Sequence, residues 1–206
     1  MASYLGDINA RARGLRTRLL RPHDLERLAR AGSPFALQRE LAGLGLVRAE
    51  TPATPAALEK PIRRRAASMM ALLSRWSEGR RRSVLSIVLE DEDRRSIQAI
   101  LRGAAQGAAA EVRLSGVVPT ADLSERALRV LASQPTVTDV VRTLVLWGHP
   151  LGPPLIGAVT GTHPSLFGVE VALERAFASR ALSTARRGGR HLMEYTRQVI
   201  DVMNTW

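Results

Sequence analysis

Apolar side chains recur along this chain at intervals of three and four, which lays them on one face of successive helices. Tyr4, Ile8, Ala12, Leu15 and Leu19 form the first stripe, with Arg11, Arg13, Arg16 and Arg18 on the other face. Asp24 is placed to cap a short helix carrying Leu25 and Leu28, which Gly32 stops. Ser33-Pro34 then supplies an N-cap and a first-turn proline for a helix presenting Phe35, Leu37, Leu41 and Leu44, ended by Gly45. After a proline- and threonine-rich break, Thr54-Pro55 opens a long helix closed at Gly79. Its stripe is Leu58, Ile62, Ala66, Met69, Leu73 and Trp76, and methionines and aromatics at this spacing read as core.

The run at residues 84–89 has strand propensity, but no second strand with hairpin chemistry stands near it, so it reads as helix. Four acids follow at residues 90–93, ahead of Arg94, Arg95 and a helix through Ile97, Ile100 and Leu101 that ends in Leu-Arg-Gly. Acids suit the positive end of a helix, so this cluster reads as a helix-capping hinge. It lacks the ligand alternation and turn glycine of a calcium loop. Further on, Leu123, Ala127, Val130 and Leu131 stripe one helix, and Thr136 with Asp139 caps the next, which carries Val137, Val140, Leu144 and Trp147. A loop crowded with glycine and proline leads to a helix around Val169, Leu173 and Phe177. Gly188-Gly189 ends it, and Leu192, Tyr195, Val199 and Val202 stripe the last helix.

Two signs point to internal repetition. Shifted by 103 positions without a gap, Leu25, Leu28, Ala29, Arg39, Leu41 and Gly45 fall on Leu128, Leu131, Ala132, Arg142, Leu144 and Gly148. The acid-to-polar pair Asp93 and Ser96 is also echoed near the end of the chain by Asp201 and Asn204. The expectation is an all-α protein of two similar helical units, residues 1–110 and 111–206.

Composition adds mostly exclusions. No apolar run approaches the roughly 18 residues of a membrane-spanning helix, no signal peptide is evident, and the absence of cysteine removes disulfides and thiolate metal sites. The net charge of +11 suggests anionic partners. Only Lys60 of the 30 basic residues is lysine, and the arginines are dispersed over many helix faces, with clusters at residues 63–65, 80–82 and 186–187. They read as solvated faces or contacts for acidic proteins ahead of nucleic acid, because aromatic stacking platforms are scarce at 4% of the chain. His23, His149, His163 and His191 form no metal-protease pairing, and neither a GxSxG elbow nor a phosphate-binding loop is present. No catalytic, cofactor-binding or metal-binding set is expected.

The segment 9–20, NARARGLRTRLL, is similar to the opening "NARVRAMxxxLL" of the C subunit of V-type and archaeal-type rotary ATPases, a family related to the d subunit of the eukaryotic proton pump. Asp93-Arg94-Arg95-Ser96-Ile97, continued by Leu101-Arg102-Gly103, resembles that family's "DxxNIxxLLRG", with Ser96 where the first copy usually has Asn. The terminal Asp201-Val202-Met203-Asn204 resembles a second copy.

The resemblance implies a non-catalytic part of pseudo-threefold, funnel-like architecture, shortened here to two units. Such a subunit seats the central stalk and rests on the ring of membrane proteolipids. It is cytoplasmic and peripheral to the membrane, and it serves proton or sodium transport without a cofactor. Asp93, Ser96, Arg102, Asp201 and Asn204 would form its hinge motif, and Arg11, Arg16, Arg80, Arg81 and Arg82 its partner-facing charges. Val199, Val202, Met203 and Trp206 are expected to leave an apolar patch that further chain or a second copy covers. A basic all-helical nucleic-acid-binding protein is the alternative.

Overall fold

The computed structural model describes residues 6–77, 80–160 and 165–204, and among them the chain is all-α, with no strand. It divides into two compact units, Met1–Trp76 and Ser77–Trp206. This packing division differs from the repeat boundary at residues 110/111. A repeat records where a pattern recurs and a compact unit records what packs together, so the two need not coincide.

The first unit contains α1 (Gly6–Arg16), α2 (Pro22–Ala29), α3 (Pro34–Gly43) and α4 (Pro55–Arg75). Helix α2 starts earlier than expected. Asp24 is its third residue, and its carboxylate accepts the Arg21 backbone N–H at 3.1 Å, the returning half of a capping box. At α3 the Ser33 hydroxyl accepts the Ala36 N–H at 3.1 Å. The core is a small cluster of Leu41, Val47 and Leu58, with Leu28, Leu37, Ala42 and Leu46 against it. It reaches only the first turn of α4, so the stripe expected to be core is buried at Leu58 alone. Ile62 is exposed, and Met69, Leu73 and Trp76 are half-buried. Leu19 and Leu25 are also exposed rather than buried.

The second unit contains α5 (Arg80–Ala105), α6 (Ala110–Arg113), α7 (Glu125–Ala132), α8 (Val137–Leu146), a 3-10 turn (Pro153–Leu155), α9 (Ile156–Thr160), α10 (Leu166–Gly188) and α11 (Arg190–Asn204). Residues 84–89 are helical, within α5. The hinge expected at residues 90–93 is absent: α5 runs through them as one helix of 26 residues, with the acids inside it rather than at its start. Helix α10 packs along α5 and α11. Ile97, Ile100, Leu101, Leu131, Leu144, Leu173 and Phe177, all fully buried, lie at the centre of the core.

Helices α2 and α3 have the same bounds as α7 and α8 once 103 is added to each number. The ends match as well. Gly45 and Gly148 both adopt a φ of 67°. Leu46 N–H bonds Leu41 C=O and His149 N–H bonds Leu144 C=O, each at 2.9 Å, while Gly45 and Gly148 bond Ala42 and Val145. Both ends are therefore Schellman turns, whose left-handed residue favours glycine. The capping pair Thr136 and Asp139 forms as expected, with the Thr136 hydroxyl accepting the Asp139 N–H at 3.1 Å.

Candidate functional site: an ion-paired helix seam and a buried acid–histidine pair

The acids of α5 point in successive directions around the helix, about 100° per residue, and each finds a different partner. Glu90 meets Arg180 of α10, whose Nε lies 2.5 Å from Glu90 Oε1. Asp91 is held within the helix, with Arg94 on one oxygen and Arg95 on the other, both at 2.8 Å. Arg94 also reaches Glu174 of α10 at 2.5 Å. Its guanidinium lies 5.5 Å from the centre of the Phe177 ring and is buried. Two turns on, Arg102 meets Glu170 at 2.5 Å. Positions on α5 rise as those on α10 fall, so the helices are antiparallel and joined by three ion pairs along one seam. Burial raises the Glu174 pKa above the ordinary carboxylate range, against the opposing pull of Arg94.

Asp93 turns away from that seam. It is 1% exposed. Its Oδ1 accepts the Thr120 hydroxyl at 2.5 Å, and Thr120 Oγ1 in turn accepts the Leu123 N–H at 3.0 Å. Its Oδ2 faces His149 Nε2 at 3.6 Å. His149 Nδ1 accepts the Leu151 N–H at 3.3 Å, and its buried Nε2 has no hydrogen-bond partner among the described residues. One carboxylate thus ties α5 to the segment before α7 and lies against the turn after α8. Burial raises its pKa, with the His149 and Thr120 contacts opposing. Burial likewise raises Glu92.

The Leu-Arg-Gly triplet also has a packing explanation. Leu101 is fully buried and Arg102 pairs across the seam. A Cβ on Gly103 would lie 2.6 Å from Cγ of Arg113. Arg113 is buried and donates to the carbonyls of Ala108 at 2.6 Å and Gln134 at 2.5 Å.

The proposed hinge residues do not meet as one site. Asp93, Ser96 and Arg102 share α5, whereas Asp201 is exposed on α11. Ser96 is buried, and its hydroxyl has no hydrogen-bond partner among the described residues. The Asn204 side chain lies outside the described residues, as do Tyr4, Gly79, His163 and Trp206 and the side chains of Ile8, Arg80, Arg81 and Met203. Of the candidate partner-facing arginines, Arg11, Arg16 and Arg82 are exposed, and Arg11 stacks on Trp76 at 5.5 Å. Glu90, Thr120, His149, Glu170 and Glu174 carry the geometry, yet the sequence does not mark them for these contacts. Their partners lie 27 to 90 positions away, and no local pattern connects them.

Among the described residues no group of His, Cys, Asp or Glu could hold a metal ion, and no helix is long and apolar enough to cross a membrane. Charged groups here fasten helices to one another and to the segments beside them. The arrangement defines an all-helical protein with ion-paired groups in its interior. The family model of the ATP synthase (C/AC39) subunit matches residues 8–205, and the chain belongs to this family of rotary ATPase subunits. A search of curated proteins finds no match to it.

Proposed function

We propose that this chain is a non-catalytic coupling subunit of a V-type or archaeal-type rotary ATPase, linking the central stalk to the membrane proteolipid ring in proton or sodium transport. It would act on the cytoplasmic side, peripheral to the membrane. The observation that carries this reading is the family match over residues 8–205. The ion-paired seam of α5 and α10 supports it, because a part that transmits torque needs stiffness rather than a reactive group. The coincident bounds of α2/α7 and α3/α8 support two repeated units, residues 1–110 and 111–206, of a funnel-like subunit. In this proposal Asp93, Ser96 and Arg102, echoed by Asp201 and Asn204, are a motif recurring in each unit. Arg11, Arg16 and residues 80–82 would face acidic ends of stalk or ring subunits.

The test is reconstitution of the complex with and without this chain, measuring ATP hydrolysis and ATP-driven ion uptake together. Omission should preserve hydrolysis by the catalytic subunits and abolish uptake. Uptake that persists without the chain would refute the coupling role.

A further inference from the structure

An apolar groove of about 270 Å³ opens between α8 and α9. Val141, Val145 and Leu146 line it from α8, Ile156 and Val159 line it from α9, and Arg142 stands beside them. Leu146 is 84% exposed, and the adjoining Trp147 and Ile156 are also exposed. Isolated exposed leucines are ordinary, whereas several large apolar side chains around one concavity mark a contact surface.

Helix α3 provides an internal comparison. It shares the length and the Schellman turn of α8, 103 positions earlier. Yet Gln38, Ala42 and Gly43 stand where the α8 side of the groove has Val141, Val145 and Leu146, while α9 has no counterpart after α3. Arg39 matches Arg142. The same helix and terminal turn therefore form with small or polar residues at these positions, so forming α8 does not require its side of the groove to be apolar.

Size and charge narrow the occupant. The volume falls below the roughly 300–1,000 Å³ typical of small-molecule sites, and it suits a few aliphatic side chains. A cleft between two helices is the receptor form of helix-in-groove recognition. The Arg142 side chain is 70% exposed, and its only ion pair among the described residues is a loose one with Asp139 at 3.8 Å, so it is accessible to an incoming carboxylate. We propose that this groove docks an amphipathic helix of another protein, bearing large aliphatic residues at helical spacing and an Asp or Glu beside them that meets Arg142. The inference stands on the groove alone and does not depend on the coupling role.

The probe is a labelled synthetic helix with leucines at i, i+4 and i+7 and a flanking glutamate, compared with a twin carrying lysine there, titrated into the full chain by fluorescence anisotropy. The glutamate peptide should bind more tightly by about two- to five-fold, as expected of an exposed ion pair, and Arg142→Glu should reverse the preference. Leu146→Ser should weaken both peptides about tenfold. Leu146 is exposed, so helicity by circular dichroism should be unchanged. Equal affinity for both peptides, or binding indifferent to Leu146→Ser, would overturn the proposal. So would concentration-dependent self-association in light scattering that Leu146→Ser abolishes, because the occupant would then be a second copy of this chain. Uptake of a small apolar dye without peptide binding would overturn it too.

Discussion

Replacing Arg94 with methionine tests whether the α5–α10 seam stabilises the second unit. The Arg94 side chain is 7% exposed, Asp91 13% and Glu174 31%, so the substitution takes one partner from a carboxylate well inside the protein and strands another at its edge. Breaking one side of a buried pair costs about 3–5 kcal/mol. Asp91 keeps Arg95 as a partner at 2.8 Å, and Glu174 is about one-third solvated, so the lower end applies: about 3 kcal/mol, or about 6–12 °C in Tm for a chain of this size. Methionine can place its sulfur against the Phe177 ring where the guanidinium lay, so the loss is mainly of charge. Urea denaturation followed by far-UV circular dichroism at neutral pH measures it. Without Arg94 the Glu174 pKa rises further, so the deficit should shrink as pH falls and Glu174 is neutralised. The double variant Arg94→Met with Glu174→Leu should recover most of the loss, because the carboxylate that Arg94 paired on α10 is gone. A loss below about 1 kcal/mol, or a double variant no better than the single, would refute the argument that pairing rather than packing sets the cost.

Asp93 carries a second prediction. Its folded pKa is raised, so the folded state holds the proton more tightly than the unfolded chain. Its contribution to stability therefore grows as pH is lowered through that raised value and levels off below the ordinary carboxylate range. Asp93→Asn should flatten this part of the stability–pH profile, whereas Asp93→Ala should cost about 1–3 kcal/mol by leaving the Thr120 hydroxyl without its acceptor. Gly103→Ala should cost about 1–3 kcal/mol by overpacking against Arg113. An unchanged urea midpoint for that variant would mean that Arg113 moves aside freely. Charge reversal at Arg11, Arg16 and Arg82 should weaken assembly with stalk or ring subunits in a salt-dependent manner, with screening beyond about 8 Å at physiological ionic strength. Tight binding to random duplex DNA with a steep linear fall in log affinity against log salt, and none to those subunits, would instead favour nucleic-acid binding.

Much of the helical outline was legible because helix ends are written locally. Ser33-Pro34 and Thr136 with Asp139 each combine a capping side chain with a turn-compatible neighbour, and the φ of 67° at Gly45 and Gly148 selects glycine in both copies. The four acids misled because their sign suits a helix start, while what decides their place is pairing with arginines on the same helix and on one 80 to 90 residues away. The stripe on α4 obeyed helical spacing, yet periodicity reports a face and not the amount of core available to cover it. His149 belongs to the second copy's Schellman turn, and nothing in its neighbourhood of glycines and prolines indicates that Asp93 lies opposite.

The seam also fixes how α5 and α10 can move past each other. A slip of one turn, about 5.4 Å, in one direction carries Arg94 toward Arg180, and in the other it carries Glu90 toward Glu174. Either step replaces attraction with repulsion. The charge order therefore opposes sliding in both directions between the two longest helices of the second unit, so a twist applied along them would meet resistance to shear.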